Sequence, residues 1–172
     1  MTKKLLALPV IAALCLALAG CGGLANSTQA AAYPDDKLIA QRGDTYTAVQ
    51  WTGNPPDEMS VGEFTGTKAW LRLSVPEGGG ELAIDYDQAV TAGDFKTVLA
   101  KYDERVEVVC EGTDAGARTF ALEPGDYAVK AVGLKAAARL ATQIRASEGI
   151  TAMLPGDALD GDEPVTLEPL AA

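Results

Sequence analysis

Residues 68–87, KAWLRLSVPEGGGELAIDYD, carry the clearest structural pattern in the chain. Apolar and polar residues alternate along the first half, with Ala69, Leu71, Leu73 and Val75 on one face and Lys68, Trp70, Arg72 and Ser74 on the other. After the turn sequence PEGGG, the second half places Leu82, Ile84 and Tyr86 on one face and Glu81, Asp85 and Asp87 on the other. Alternation with a period of two predicts half-buried strands, and the Gly-rich turn between them predicts a hairpin.

Similar runs continue on both sides of this hairpin and are separated by Gly, Pro, Asp and Asn. They are Thr45–Trp51, Phe95–Ala100, Val106–Cys110, Arg118–Leu122, Tyr127–Ala131 and Ala138–Arg145. About eight short strands, with turn signals about every 8–12 residues, are typical of two packed antiparallel sheets and not of alternating strands and helices. The sequence therefore predicts an all-β fold, an antiparallel β-sandwich of Greek-key or jelly-roll type over residues 45–146.

The N-terminal sequence MTKKLLALPVIAALCLALAGC, residues 1–21, has the layout of a secretory signal. Two lysines precede an apolar run of 15 residues, Leu5–Ala19, which is shorter than the roughly 20 residues that span a membrane. The end of this run, Leu18-Ala19-Gly20-Cys21, resembles a bacterial lipobox. The resemblance implies cleavage before Cys21, its modification with diacylglyceryl and palmitate, and anchoring to the cell membrane. The alternative is an ordinary cleaved signal in which Cys21 stands by chance.

These patterns divide the chain into four segments. Residues 1–20 are the expected signal peptide, and residues 21–44, rich in small and polar side chains, are the expected lipidated, flexible tether. Residues 45–146 form the predicted sandwich, and residues 147–172 an acidic, Pro-containing tail that we expect to be partly disordered. The predicted location is extracytoplasmic, on the cell membrane. The residue after Cys21 is Gly22 and not Asp, which favours sorting of the lipoprotein to the outer membrane in a host that has one.

Composition excludes several classes of function. The 172 residues include 14 Lys and Arg against 24 Asp and Glu, and removal of residues 1–20 would leave 12 against 24. This negative charge argues against nucleic-acid partners and against attraction to anionic lipid headgroups. The chain contains no His, so no His-based catalytic or metal site can form. A Ser–Lys pair needs a buried Lys, whereas the strand lysines fall on polar positions. We therefore expect no enzyme activity, no cofactor and no metal site.

Two further groups of residues each allow either a purely structural role or a chemically reactive one. Cys110 is the one thiol left when Cys15 leaves with the signal and Cys21 is lipidated, so no internal disulfide is expected. Its run, VEVVC, predicts a buried small hydrophobe, with a reactive thiol as the alternative. Asp85 and Asp87 favour a solvated sheet face over a weak calcium site or a catalytic carboxylate pair.

The tail contains a segment with the length of a calcium-binding EF-hand loop, Asp157–Glu168. That loop requires acidic residues at its third and fifth positions and a Gly at its sixth. Leu159, Gly161 and Asp162 occupy those positions here, so we exclude the motif.

Trp70 and Trp51 are the candidate binding residues. If Leu71 and Leu73 face the core, alternation places Trp70 on the outer face, where an exposed Trp serves sugars or protein partners as a stacking platform. Trp51 joins it from the first strand, and coplanar exposure of Trp70, Trp51 or Tyr46 is the expectation for a carbohydrate-binding module. The alternative is that the tether or the tail covers Trp70.

The segment LEPGDY, residues 122–127, resembles the corner before a late strand of Greek-key sandwiches, where the Tyr hydroxyl bonds to upstream backbone. Residues 64–145 also resemble small β-sandwich domains of secreted bacterial lipoproteins, and are similar in layout to pre-peptidase C-terminal and jelly-roll domains. The resemblance implies a non-catalytic binding or interaction module of the cell envelope, with a protein or envelope glycan as partner. A carbohydrate-binding module that uses exposed aromatics is the alternative.

Overall fold

The computed structural model describes residues 27–156 and 161–170 and confirms the all-β fold class. Residues 27–31 are helical and are followed by the short helix α1 (Asp36–Ile39). Ten strands follow: β1 (Thr45–Val49), β2 (Thr52–Asn54), β3 (Glu58–Val75), β4 (Gly80–Lys101), β5 (Arg105–Glu111), β6 (Asp114–Leu122), β7 (Gly125–Ala146), β8 (Thr151–Leu154), β9 (Glu163–Val165) and β10 (Glu168–Pro169). No helix within these ranges is long and apolar enough to cross a membrane.

The strands hydrogen-bond into one sheet with the order β5-β4-β7-β3-β8-β9. β1 and β2 pair with β3, β6 pairs with β4, and β10 pairs with β7 in the sheet's parallel contact. The three central strands are 18 to 22 residues long, far beyond the usual five or six.

Each central strand bends back, so one sheet supplies two packed layers. Gln88 and Thr97 lie nine positions apart on β4, which is about 30 Å on a straight strand. Their side chains nevertheless share a hydrogen bond of 2.8 Å from Thr97 Oγ1 to Gln88 Oε1. The first layer contains β6, β2 and the paired ends of β3, β4 and β7 near Met59, Ile84 and Leu140. The second contains β5, β8, β9 and the opposite ends of the same three strands.

The side-chain alternation inverts at the bend, and this inversion gives both layers a common core. On β7, odd positions such as Tyr127 and Val129 face the core before the bend, and even positions such as Ala138 and Leu140 face it afterwards. Lys135 and Gly93, both with positive φ, lie at the bends of β7 and β4, and the β4–β7 register shifts beside Ala92. A residue inserted in the ladder moves every later side chain to the other face.

Two predicted pairs of strands are therefore single strands in the structure. Phe95–Ala100 continues the strand of Leu82 and Ile84 within β4, and Ala138–Arg145 continues that of Tyr127 within β7. The polar and glycine residues between them are bends, not hairpin turns. The predicted turn after Val75 is confirmed, since Gly79 N donates to Pro76 O at 2.8 Å. The predicted hairpin is wrong, because β3 and β4 do not pair with each other: β7 lies between them in the sheet and pairs with both.

The predicted tyrosine corner is also confirmed. Tyr127 is buried, and its hydroxyl donates to the carbonyl oxygen of Glu123 at 3.1 Å. This bond ties the start of β7 to the backbone four residues upstream, across the turn at Pro124 and Gly125.

The chain before β1 departs from the expected free tether. Ala32, Ile39 and Ala40 are buried, and Ile39 packs on Val98 and Val132 at the outer face of the second layer. We call residues 32–44 the strap. The strap docks here because Val98 and Val132 present apolar side chains on the outer face of the sheet. Packing Ile39 against them removes this apolar surface from water.

The chain after β7 also departs from its predicted disorder where the structure describes it. β8 pairs with β3, β9 with β8, and β10 with β7. Arg72 binds Asp162 at 2.6 Å, which ties this segment to β3. Unpaired backbone groups at the edge of β3 explain the pairing, since an incoming segment satisfies them.

Candidate functional site

A shallow trough of about 770 Å³ opens on the outer face of the first layer. Strand pairing places its residues in two rows across β4, β7, β3 and β2. One row is Ala89, Arg139, Ser60 and Thr52, and the other is Asp87, Ala141, Glu58 and Asn54. Ala89 and Ala141 form a low floor, and the longer polar side chains form its walls.

The trough contains charges without internal partners. Arg139, Asp87 and Glu58 are exposed, and none makes an ion pair or side-chain hydrogen bond within the described part of the chain. Two positions along β4, by contrast, Asp85 binds Arg145 at 2.5 Å. A cation in one row and two carboxylates in the neighbouring row, with amide and hydroxyl groups beside them, can donate to and accept from a polar ligand.

An aromatic cluster lies beside the trough, where β1 joins β2. The Trp51 ring contacts the Tyr46 ring at 6.4 Å and the buried Phe64 ring at 5.3 Å. Lys68 Nζ lies 4.7 Å from the centre of the Tyr46 ring and 5.5 Å from that of Trp51. It also donates to the Tyr46 hydroxyl at 3.0 Å.

This geometry differs from the coplanar platform expected for sugar stacking. The planes of Tyr46 and Trp51 meet at 44°, and Lys68 already contacts both rings. Tyr46 is 37% exposed and Val49, on the same strand, is 56% exposed, whereas Trp51 is half-buried. Trp51 therefore packs against the core, and Tyr46 is the more accessible aromatic.

The exposed position considered for Trp70 is wrong, because its side chain is 2% exposed and belongs to the common core. The β3–β7 register shifts between Ala69 and Leu71, so Trp70 is the extra residue of a bulge. The bulge turns Trp70 to the same side as Leu71 and leaves Ala69 on the outer face. Neither the strap nor the C-terminal segment needs to cover it.

Cys110 is buried, as the simpler interpretation of its sequence predicted. Its Sγ lies 3.1 Å from Gln88 Oε1, which also accepts from Thr97, and Gln88 Nε2 donates to Gly112 O at 2.6 Å. Burial raises the pKa of the Cys110 thiol to about 11. The thiol is therefore protonated and enclosed at neutral pH, which is the opposite of a nucleophile's environment.

The expectation that every strand lysine lies on a solvated face is wrong. Lys130 is fully buried beneath the strap, where Nζ donates to Gln41 O at 2.5 Å and lies 3.7 Å from Asp44 Oδ1. Lys96 is also buried, with Nζ 4.9 Å from the centre of the Tyr33 ring. Alternation identified the outer face correctly, but a local pattern does not show which distant segment covers that face.

The remaining predictions concern the N-terminal segment and possible metal sites. The predicted signal peptide and the lipobox-like sequence with Cys21 lie outside the described residues, as do Asp157–Asp160 of the excluded EF-hand segment. Within the described ranges, no group of three acidic or cysteine side chains is close enough to hold a metal ion.

No protein-family model matches the sequence, and no curated protein sequence matches it. A solved structure titled salicylyl-acyltransferase SsfX3 from a tetracycline biosynthetic pathway aligns at 15% identity with a TM-score of 0.34. The alignment covers 64% of this chain and 39% of that protein. Similarity this low carries no inference about fold or activity.

Proposed function

We propose that the protein is a non-catalytic binding module of the bacterial cell envelope, anchored to the extracytoplasmic membrane surface by lipid on Cys21. The observation that carries the binding role is the trough, with its unpaired charges above an alanine floor. The anchor is supported by the lipobox sequence at residues 18–21. The proposed partner is a protein or a glycan of the envelope, bound through Arg139 and the flanking Asp87 and Glu58.

The side chains that most often act as nucleophiles or bases support a role without catalysis. The sequence contains no His. The Cys110 thiol is enclosed by Gln88 and its neighbours, and the Lys130 ammonium is held by Gln41 and Asp44. These groups stabilise the interior and do not face the trough.

The lipid anchor is tested in the native host with an alkyne fatty acid added to the growth medium. We expect the full-length protein to incorporate the label and to fractionate with membranes. Cys21→Ala should lose both, whereas the matched variant Cys15→Ala should keep both because Cys15 lies within the signal. Labelling of Cys21→Ala would contradict the proposed anchor.

The binding role is tested by light crosslinking of tagged protein in its native membrane, followed by mass identification of what co-purifies. Arg139→Ala should lower recovery of a specific partner about tenfold, since a charged hydrogen bond contributes about 1.5–3 kcal/mol. Lys37→Ala is the matched control, because it removes an exposed cation with no ion pair from the opposite layer. Equal recovery from both variants would exclude the trough as the contact surface.

A carbohydrate-binding module is the alternative that one observation favours. Asn54, Ser60 and Arg139 offer the hydrogen bonds that sugar hydroxyls need, and Tyr46 is partly exposed nearby. Under this alternative, purified envelope glycan alone should retain the protein, and Tyr46→Ala should release it. A glycan that retains nothing, with a protein partner recovered by crosslinking, would favour the protein-binding form.

A further inference from the structure

The strap changes how far the folded domain stands from the lipid. A free chain through residue 44 would give 23 flexible residues after Cys21, with a root-mean-square span of about 25–29 Å. In the structure, the described chain is already helical at residues 27–31 and buried from Ala32. Residues 22–26 and the helical residues 27–31 then connect Cys21 to the strap, and the first part, even fully extended, reaches only about 22 Å from Cys21 to Ser27.

Contacts along its whole length hold the strap on the second layer. The Tyr33 hydroxyl donates to Glu111 at 2.8 Å, and Ile39 is fully buried. Asp103 N donates to Ala40 O at 3.0 Å. Arg42 binds Asp126 at 2.9 Å.

The end of the strap is bound to the sheet most firmly. Asp44 Oδ1 accepts from the backbone N of Ala69 at 2.9 Å and lies 3.7 Å from Lys130 Nζ. Lys130 also donates to Gln41 O, so one buried cation holds two strap residues. Since removing one partner of a buried charge is costly, the strap and the sheet favour staying together.

The strap and the trough lie on opposite outer faces of the sandwich. Lys130 and Val132 face outward beneath the strap, whereas Arg139 and Ala141, beyond the bend of the same strand, face outward in the trough. The common core lies between these two faces. A chain anchored from the strap side therefore has its trough on the far side.

We propose that the docked strap orients the domain on the membrane, with the strap-covered layer toward the bilayer and the trough facing away from it. This inference rests on the proposed lipid anchor. It restricts the partner of the trough to a molecule of the envelope space, because the bilayer to which the protein is anchored lies behind the opposite layer. The orientation comes from the short connection and not from charge, since the acidic chain has no attraction for anionic headgroups.

The test uses full-length lipidated protein in phosphatidylcholine vesicles that contain an energy-transfer acceptor lipid. A donor fluorophore is attached at Lys37→Cys, on the strap side, or at Ala141→Cys, on the trough floor. Both positions are exposed, whereas Cys110 is buried and does not compete for the label. We expect higher transfer at position 37 than at position 141.

A Gly/Ser segment of 20 residues inserted after Gly23 is the matched control, because it lengthens the connection without touching the strap. It should lower transfer at both positions and remove the difference between them. Equal transfer at the two positions in the protein without the insertion would overturn the orientation while leaving the anchor intact. A wild-type protein that fails to float with the vesicles would overturn the anchor and, with it, the orientation.

Discussion

At the scale of single residues, burial and not residue type sets the chemistry of the reactive groups. Cys110 shares Gln88 Oε1 with Thr97, so three polar side chains satisfy one another inside an apolar core. Such a closed network avoids the cost of unpaired buried polar atoms. Burial disfavours the charged form of Lys130 as well, so the pKa of its ammonium group is lowered, although the nearby Asp44 carboxylate partly offsets the effect.

Cys110 yields a prediction about reactivity and alkaline pH. The pKa of its thiol is raised from the usual 9.0 to about 11, so at pH 8 the native protein should not react with Ellman's reagent until urea unfolds it. Because the folded state holds the proton more tightly, this contribution to stability is complete below pH 9. It should be lost as pH rises from 9 toward about 11.

The measurement is the difference in urea midpoint between the wild type and Cys110→Ala at pH 7, 9 and 11. We expect the urea midpoint of the wild type to fall relative to that of Cys110→Ala as pH rises. Other alkaline effects act on both proteins equally and cancel in the difference. A difference that stays constant over the range would contradict the raised pKa.

At the scale of secondary structure, the bends of β4 and β7 create the sandwich. Gly93 has φ +63, and a Cβ there would lie 2.2 Å from the carbonyl oxygen of Lys135 and 2.4 Å from that of Leu134. The backbones of β4 and β7 are therefore in close contact at the point where both strands bend. Glycine at this position permits both the left-handed conformation and the close contact.

Gly93→Ala should destabilise the protein by more than about 1 kcal/mol, since the new methyl group meets backbone that cannot move independently. The free energy of unfolding from urea titration measures the effect. Gly78→Ala is the matched control, because no atom lies within 4 Å of a Cβ at that position. It should stay within about 0.5 kcal/mol of the wild type. Equal stability of the two variants would show that the bend tolerates a side chain.

At the scale of the whole molecule, the strap packs on the sandwich as part of the same folded body. It covers Val98 and Val132 and encloses Lys130, so the centre of the second layer is buried on both faces. The first layer has no such cover over Arg139 and keeps a solvated outer face. The sandwich therefore has one outer face that the strap covers and another, containing the trough, that is exposed to solvent.

Ile39→Ala should lower the free energy of unfolding of the lipid-free chain, residues 22–172, by about 2–5 kcal/mol, the usual cost of truncating a buried Ile. Urea unfolding followed by tryptophan fluorescence measures it, because Trp51 and Trp70 lie in the sandwich and not in the strap. Lys37→Ala, on the exposed face of the same helix, should change stability by less than about 0.5 kcal/mol. Full stability in Ile39→Ala would mean that the strap folds separately from the sheet.

Local alternation predicted most strand positions, and the turn after Val75 and the Tyr127 corner followed from Gly, Pro and Tyr placed at short range. Trp70 was misplaced because a bulge adds one residue, and alternation counted across a bulge inverts. The trough could not be predicted, because the turn from Asn54 to Glu58 is far in sequence from Asp87 and Arg139 and meets them only through strand pairing. Alternation marked Asp87 as outward, but it carries no information on which strands pair.

The sequence by itself determined the all-β class and the position of most core strand segments, because period-two alternation and turn residues act over a few neighbouring positions. It also supplied the lipobox on which the proposed anchor rests. The tertiary structure alone decided that Trp70 is buried, that Lys130 lies beneath the strap and that Arg139 lies in an open trough. These outcomes depend on where β4 and β7 bend and on what covers each layer. Both are set by contacts between residues distant in sequence, for which local patterns carry no information.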